Sequence, residues 1–457
     1  NNRRDFLKMG LRGLSAIGAA SVAGRLSQVS ALAQTTCPSD YKALVCVFLF
    51  GGNDGNNTVI PVNTPKGNPA NSYTNYAKVR GGLALPSANL HLINAVNGDQ
   101  YGLHPSFTEL ADLYNQRKNV AVLANVGTLM NPLTKTQYLA KSAGIPSNLF
   151  SHLDQQNEWQ SGLAQGFATT GWGGRVADAM QGCNTANFPT LISLGGNTLF
   201  ATGAQTSAAT LSAGQAAGLQ GFSTISASQA RLAAVNNLLA FDNSLTLVRA
   251  ANGVSNAGIT QANRLNQALA SVGALTTVFP NTSLGQQLLQ VAKIIKVRSA
   301  LGLNRQIFFT SIGGFDTHDK ELNDQASGLL QVSQAMAAFY QATVELGVSQ
   351  NVTTFTESDF GRTLQPSGGS TVGSDHAWGS HHVILGDAVK GGDLYGQFPT
   401  QALGGPDDAT SRGVWIPTTS LDQYGATLAK WFGVSAAQLP QVFPNLANFG
   451  GTGPAFL

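Results

Sequence analysis

From Lys42 the chain runs Ala-Leu-Val-Cys-Val-Phe-Leu-Phe without a polar residue and then meets Gly51-Gly52. A run this short, apolar at every position, reads as a strand covered on both faces, the condition of strands in a parallel sheet. Such a strand needs neighbours of its own kind. Apolar runs recur at 120–126, 190–194, 306–312, 352–356 and 382–385, with helical patterns between several of them, as at 106–116 and 323–346. Strands alternating with helices predict an α/β fold. Asp54, Asp316 and Asp359 each follow one of these strands within a few residues. In open α/β sheets ligands bind beyond the carboxyl ends of the strands, so this coincidence predicts a site.

Residues 203–300 differ from the rest. They are rich in Ala, Gly, Ser, Gln and Leu, carry few strand signals, and look helical at 228–239 and 260–269. This stretch is expected to be a helical insertion or cap that flanks the site and leaves the sheet unextended. The remainder, 34–457, is expected to be one domain.

The first residues read as an export signal. Arg3-Arg4 followed by Phe6-Leu7-Lys8 makes a twin-arginine start, a small apolar run occupies 13–24, and Ala31-Leu32-Ala33 is an A-x-A cleavage site before Gln34. The apolar run is shorter than the roughly 20 residues a membrane span needs. The mature protein is therefore expected without a transmembrane span, starting near Gln34, in the periplasm or outside the cell. Residues 1–33 carry five basic residues against one acid, so a formal charge of +3 for the whole chain becomes −1 without them. That balance argues against nucleic acid as a partner. Of three cysteines, Cys46 lies within the first apolar run and reads as a small buried hydrophobe. An exported location permits a disulfide, and Cys37 with Cys183 is one pairing.

Four loops carry groups suited to chemistry. GGNDGNNT (51–58) offers Asp54 to a metal, or else to a tight Asx-type turn. GGFDTHDK (313–320) places a carboxylate, Asp316, two residues from an imidazole, His318, at a strand end where both can reach one cation; a turn with a helix cap is the other reading. TESDFGR (356–362) offers Asp359 to a cation and Arg362 to a phosphate or sulfate, or else pairs the two locally. GSDHAWGSHH (373–382) brings His376, His381 and His382, which with His152 and His318 make five of the seven histidines. Ser151, ahead of a helical stretch, is a candidate nucleophile near a helix N-terminus, or a plain N-cap.

The order Asp54, Ser151, Asp316/His318, Asp359, His376 resembles that of the alkaline phosphatase-like superfamily of phosphatases, sulfatases and metal-dependent mutases. Within it the chain is similar to the exported bacterial DUF1501 family, through GGNDGNNTVIP (51–61), SHLDQQNEWQSG (151–162), GGFDTH (313–318), SDFGRT (358–363), SDHAWGSHHVILG (374–386) and the tail at 418–449. The resemblance implies a three-layer αβα sandwich around a mostly parallel sheet. It implies metal ligands at Asp54, Asp316, His318, Asp359 and His376, attack by Ser151, and Arg362 on the ester oxygens. The cofactor would be a divalent metal: zinc, or magnesium, calcium or manganese. The partner would be a small anionic ester.

Two departures qualify this. The superfamily has Asp-His at the strand end, where Phe360 follows Asp359 here, and His318 follows Asp316 by only two residues. The expectation is an asymmetric centre with at most one tightly held transition-metal ion, or none, unless His381 or His382 replaces the missing ligand. The reading that competes with a phosphate or sulfate ester hydrolase is a non-catalytic exported protein that binds an extracytoplasmic protein partner.

Overall fold

The computed structural model describes residues 37–457 except 69–70, 143, 186–187, 220, 242–244 and 369–370. The export signal and its cleavage site lie outside the described residues.

The first apolar run is β1, Lys42–Leu49, central in a nine-stranded sheet. Three strands, β2 (Val59–Asn63), β3 (His91–Asn94) and β4 (Gln100–Leu103), form a small antiparallel sheet that the sequence did not announce. The main sheet continues with β5 (Val120–Gly127), β6 (Leu191–Ser193), β7 (Ala209–Thr210), β8 (Arg305–Ile312), β9 (Val352–Ser358), β10 (Ser380–Leu385), β11 (Asp393–Tyr395) and β12 (Thr419–Ser420). Its order is β11-β5-β10-β9-β1-β8-β6-β7, with β12 paired to β5. Among the described strands of this sheet, only β10 runs antiparallel to its neighbours, so the sheet is mostly parallel.

Alternation along β1 explains the layers. Val45, Val47 and Leu49 enter one apolar core with the helices Ser283–Lys296 and Glu321–Glu345. Leu44, Cys46 and Phe48 enter the other with the helices Trp172–Ala179 and Leu421–Phe432. A strand buried on both sides has no polar face to show, which is why its sequence is uniformly apolar. The result is the three-layer αβα arrangement expected.

The expected insertion is helical at Ser226–Ala240 and Thr246–Ala270. It does extend the sheet, by the two residues of β7 on the edge. It also ends sooner than expected. Ser283–Lys296 is a core helix: its Leu284, Leu288, Val291 and Ile295 are fully buried. Periodicity alone cannot separate a core helix from a cap helix when both are Leu- and Ala-rich. Cys37 and Cys183 form a disulfide across 146 residues, and Cys46 is buried and free. No helix among the described residues is long and apolar enough to cross a membrane.

Candidate metal centre

Leu49 of β1 stands level with Ile312 of β8 and Ser358 of β9, so the three strands end together and release their loops at one rim. The loops then close on one another because the first is glycine. Gly51 and Gly52 have φ of 115° and 85°, where side chains are strained. A Cβ on Gly51 would lie 2.3 Å from the Asp316 nitrogen, and one on Gly52 would lie 2.4 Å from the Phe360 ring. Next, segment 373–378 zips onto 361–363: the Ala377 amide donates to the Gly361 carbonyl (2.9 Å), and the Thr363 amide to the Asp375 carbonyl (3.0 Å). His376 thus pairs across from Arg362.

Three imidazoles and one carboxylate meet there. Asp316 Oδ1 lies 3.1 Å from His318 Nε2, 3.3 Å from His152 Nε2 and 3.5 Å from His376 Nε2. The Nε2 atoms of His318 and His376 are 2.9 Å apart. Each ring has its other nitrogen beside an oxygen. His376 Nδ1 donates to the Phe150 carbonyl at 2.7 Å, His152 Nδ1 sits 2.8 Å from Asp359 Oδ2, and His318 Nδ1 lies 3.5 Å from Asp375 Oδ1. An imidazole whose Nδ1 carries the proton presents a lone pair at Nε2, the form that binds a metal. The Phe150 carbonyl is turned to its task by a backbone at φ 75°, unusual for an aromatic residue.

Charge is arranged accordingly. The Asp359 hydrogen bond raises the pKa of His152, against burial. Burial lowers that of His376. Asp316, which partial burial would push up, is instead held below its ordinary value by the hydrogen bond and charge of Arg362. The carboxylate of Asp316 is half exposed and the His318 ring nearly so, so the centre is open to solvent.

Several expected roles are corrected by these contacts. Asp54 does not join the cluster. Its Oδ2 pairs with Arg80 at 2.5 Å, and its Oδ1 accepts from the Asn56 amide at 3.0 Å, the Asx-type cap that was the other reading of this loop. Asp359 touches His152 and Gln156 (2.8 Å each) rather than the shared centre. Arg362 is fully buried and spends its guanidinium on the carbonyls of Gly51, Gly52, Phe315 and Ser374 and on Asp316 Oδ1 (2.5 Å), leaving it no face for an ester. Ser151 occupies the N-cap of the helix His152–Ser161 without capping it, and its hydroxyl donates to Asp154 at 2.6 Å. Phe360 is fully buried, its ring centroid 4.8 Å from that of His152 and 4.6 Å from that of His376. His381 and His382 lie elsewhere, buried in the sheet: His381 accepts from the Asn125 amide and His382 stacks on Tyr424. The residue the sequence left without a role is His152. Its signal was there, since it directly follows Ser151 at the start of a helix.

Fold and site together describe an α/β protein with a mostly parallel sheet and a histidine–carboxylate cluster at its strand ends. The chain belongs to the DUF1501 family, described as protein of unknown function, whose model matches residues 41–412. No curated protein sequence matches it. Among solved structures it is similar to the C-terminal periplasmic domain of EcEptC from Escherichia coli in complex with zinc, at 11% identity over 88% of this chain and 85% of that one, with a TM-score of 0.34. A sulfatase from Pseudoalteromonas sp. matches at 9% identity over 89% and 70%, with a TM-score of 0.31. Superpositions this loose carry no residue roles across.

Proposed function

We propose that the protein is a metal-dependent hydrolase of phosphate or sulfate esters that works outside the cytoplasm. Asp316, His318 and His376 hold its divalent ion. One observation carries this reading: two imidazole Nε2 atoms and a carboxylate oxygen converge to 2.9–3.5 Å. Neighbours at such separations all reach one ion at bond lengths of about 2.0–2.2 Å. A divalent ion there supplies a Lewis acid for the ester oxygens. The chain's own groups do the rest. Arg362 fixes Asp316 in its ionised form. Phe360 and Gly52 wall off one side. The Ser151 hydroxyl donates to Asp154, whose pKa that hydrogen bond lowers, so the group facing it is a weak base. Attack is therefore assigned to water. The Cys37–Cys183 disulfide supports a location outside the reducing cytoplasm.

The saturation of Arg362 and the bonding of Ser151 favour one other reading, a non-catalytic protein that keeps the centre to bind a ligand or protein partner. Zinc-loaded and chelator-stripped protein assayed on p-nitrophenyl phosphate and p-nitrocatechol sulfate decides between them. Metal-dependent turnover of either ester, lost in His376→Ala, is the expected result. A zinc-loaded protein inert on both esters leaves the binding role.

A further inference from the structure

We infer that His152 is the fourth donor of this centre and that Asp359, with Gln156, is the positioning pair that holds it there. The inference rests on the metal-centre part of the reading above, and it makes the donor set three imidazole nitrogens and one carboxylate oxygen.

Three observations converge on His152. It is the first residue of its helix, placed so that its ring stands edge-on to His376 with centroids 4.4 Å apart. Its Nδ1 faces Asp359 Oδ2 at 2.8 Å, which makes Nδ1 the donor and leaves the lone pair on Nε2. That Nε2 is buried without a hydrogen-bond partner and lies 3.3 Å from Asp316 Oδ1. A buried nitrogen lone pair with no donor is an unmet cost, and a cation among His152, Asp316 and His376 removes it. These three residues offer ligand atoms all within 4.8 Å of one another.

Asp359 is fully buried, and the same oxygen that takes His152 also accepts from Gln156 Nε2 at 2.8 Å. Gln156 lies one helical turn after His152, so one helix supplies both the ring and the amide that steadies the ring's acceptor. The Phe360 ring packs against the His152 ring, with centroids 4.8 Å apart. Three neutral nitrogens with one oxygen suit zinc or a similar transition ion and disfavour magnesium and calcium, which prefer oxygen donors throughout.

The experiment uses the full mature chain and zinc alone. Zinc affinity is read by chelator competition and the donor set by zinc-edge X-ray absorption, with the thermal stability of the metal-free variants recorded alongside. The wild type should bind one zinc per chain through three imidazoles. His152→Ala should show two imidazoles and bind at least about 100-fold more weakly. Asp359→Asn should keep three imidazoles and lose about 10–100-fold in affinity, the usual effect of removing an outer carboxylate. Adding Asp359→Asn to His152→Ala should then change affinity no further. The proposal is overturned by a wild type that binds no zinc or shows only two imidazoles, a spectrum that needs no variant to fold. It is equally overturned if Asp359→Asn removes an oxygen donor in place of tilting an imidazole. Ester turnover plays no part: zinc-loaded protein without activity sinks the hydrolase reading and leaves this donor set standing.

Discussion

Two acidic loops leave the same rim of the sheet and come to opposite ends. The loop after β1 carries Asp54, and the loop after β8 carries Asp316. Asp54 is fully enclosed with Arg80 and Glu321, and Arg80 reaches Asp54 at 2.5 Å and Glu321 at 2.9 Å. Burial and the neighbouring Asp54 push the pKa of Glu321 up, against the charge of Arg80. Asp316 also meets an arginine but keeps half of its carboxylate in solvent, and imidazole lone pairs surround it. The first loop is closed chemistry that fixes structure. The second is open chemistry with donors to spare. What separates them is the set of groups the rest of the chain brings to each aspartate.

The sharpest way to break this contrast is Arg80→Met. It strands a buried carboxylate and should destabilise the fold by about 3–5 kcal/mol in urea unfolding, whether or not zinc is present. A loss below about 1 kcal/mol would show that the triad is no buried network. Next in size, His376→Ala should weaken zinc binding at least about 100-fold, worth about 2.7 kcal/mol. Asp54→Asn should cost about 1–3 kcal/mol of stability through a disturbed Arg80 and leave zinc affinity within about twofold. If Asp54→Asn abolished zinc binding, the two loops would be parts of one centre and the comparison would fall.

A third acid sharpens the contrast through pH. Glu158 lies on the buried face of the helix that starts at His152, with Gln155 donating to it at 2.6 Å, and burial raises its pKa to about 8. Because the folded value is raised, the folded state holds a proton that the unfolded chain gives up above about 4.5. Its contribution is thus present at low pH and lost as pH rises toward about 8. The melting temperature of Glu158→Gln should therefore fall less between pH 5 and pH 8 than that of the wild type; equal slopes would dismiss Glu158 as the cause. The smallest effect belongs to His318→Ala without metal. The ring is 46% exposed, so stability should move by no more than about 0.5 kcal/mol.

How much of this was legible follows from range. The strands at 42–50, 306–312 and 352–356 could be read because burial on both faces leaves an unmistakable composition. Asp316, His318 and His376 could be placed at one rim because each sits within a few residues of a strand end or in a polar loop rich in histidine. Arg80 could not be connected to Asp54, since nothing local announces a partner 26 residues away on another helix. Arg362 was read as free to meet a substrate because a sequence shows the guanidinium and hides the four carbonyls that saturate it. The helix boundary near 283 was missed for a related reason: cap and core helices differ in what they face.

Arg362 has one more consequence. By gathering carbonyls from the loops after β1 and β8 and from Ser374, its guanidinium fastens three separate stretches of backbone to each other ahead of any ion. A cation entering such a frame freezes few torsions. For the proposed ion, the favourable entropy of loading is then expected to come chiefly from water released by the ion. Amide hydrogen exchange around residues 51–53 and 374–376 should already be slow in the metal-free protein and slow little further when zinc arrives.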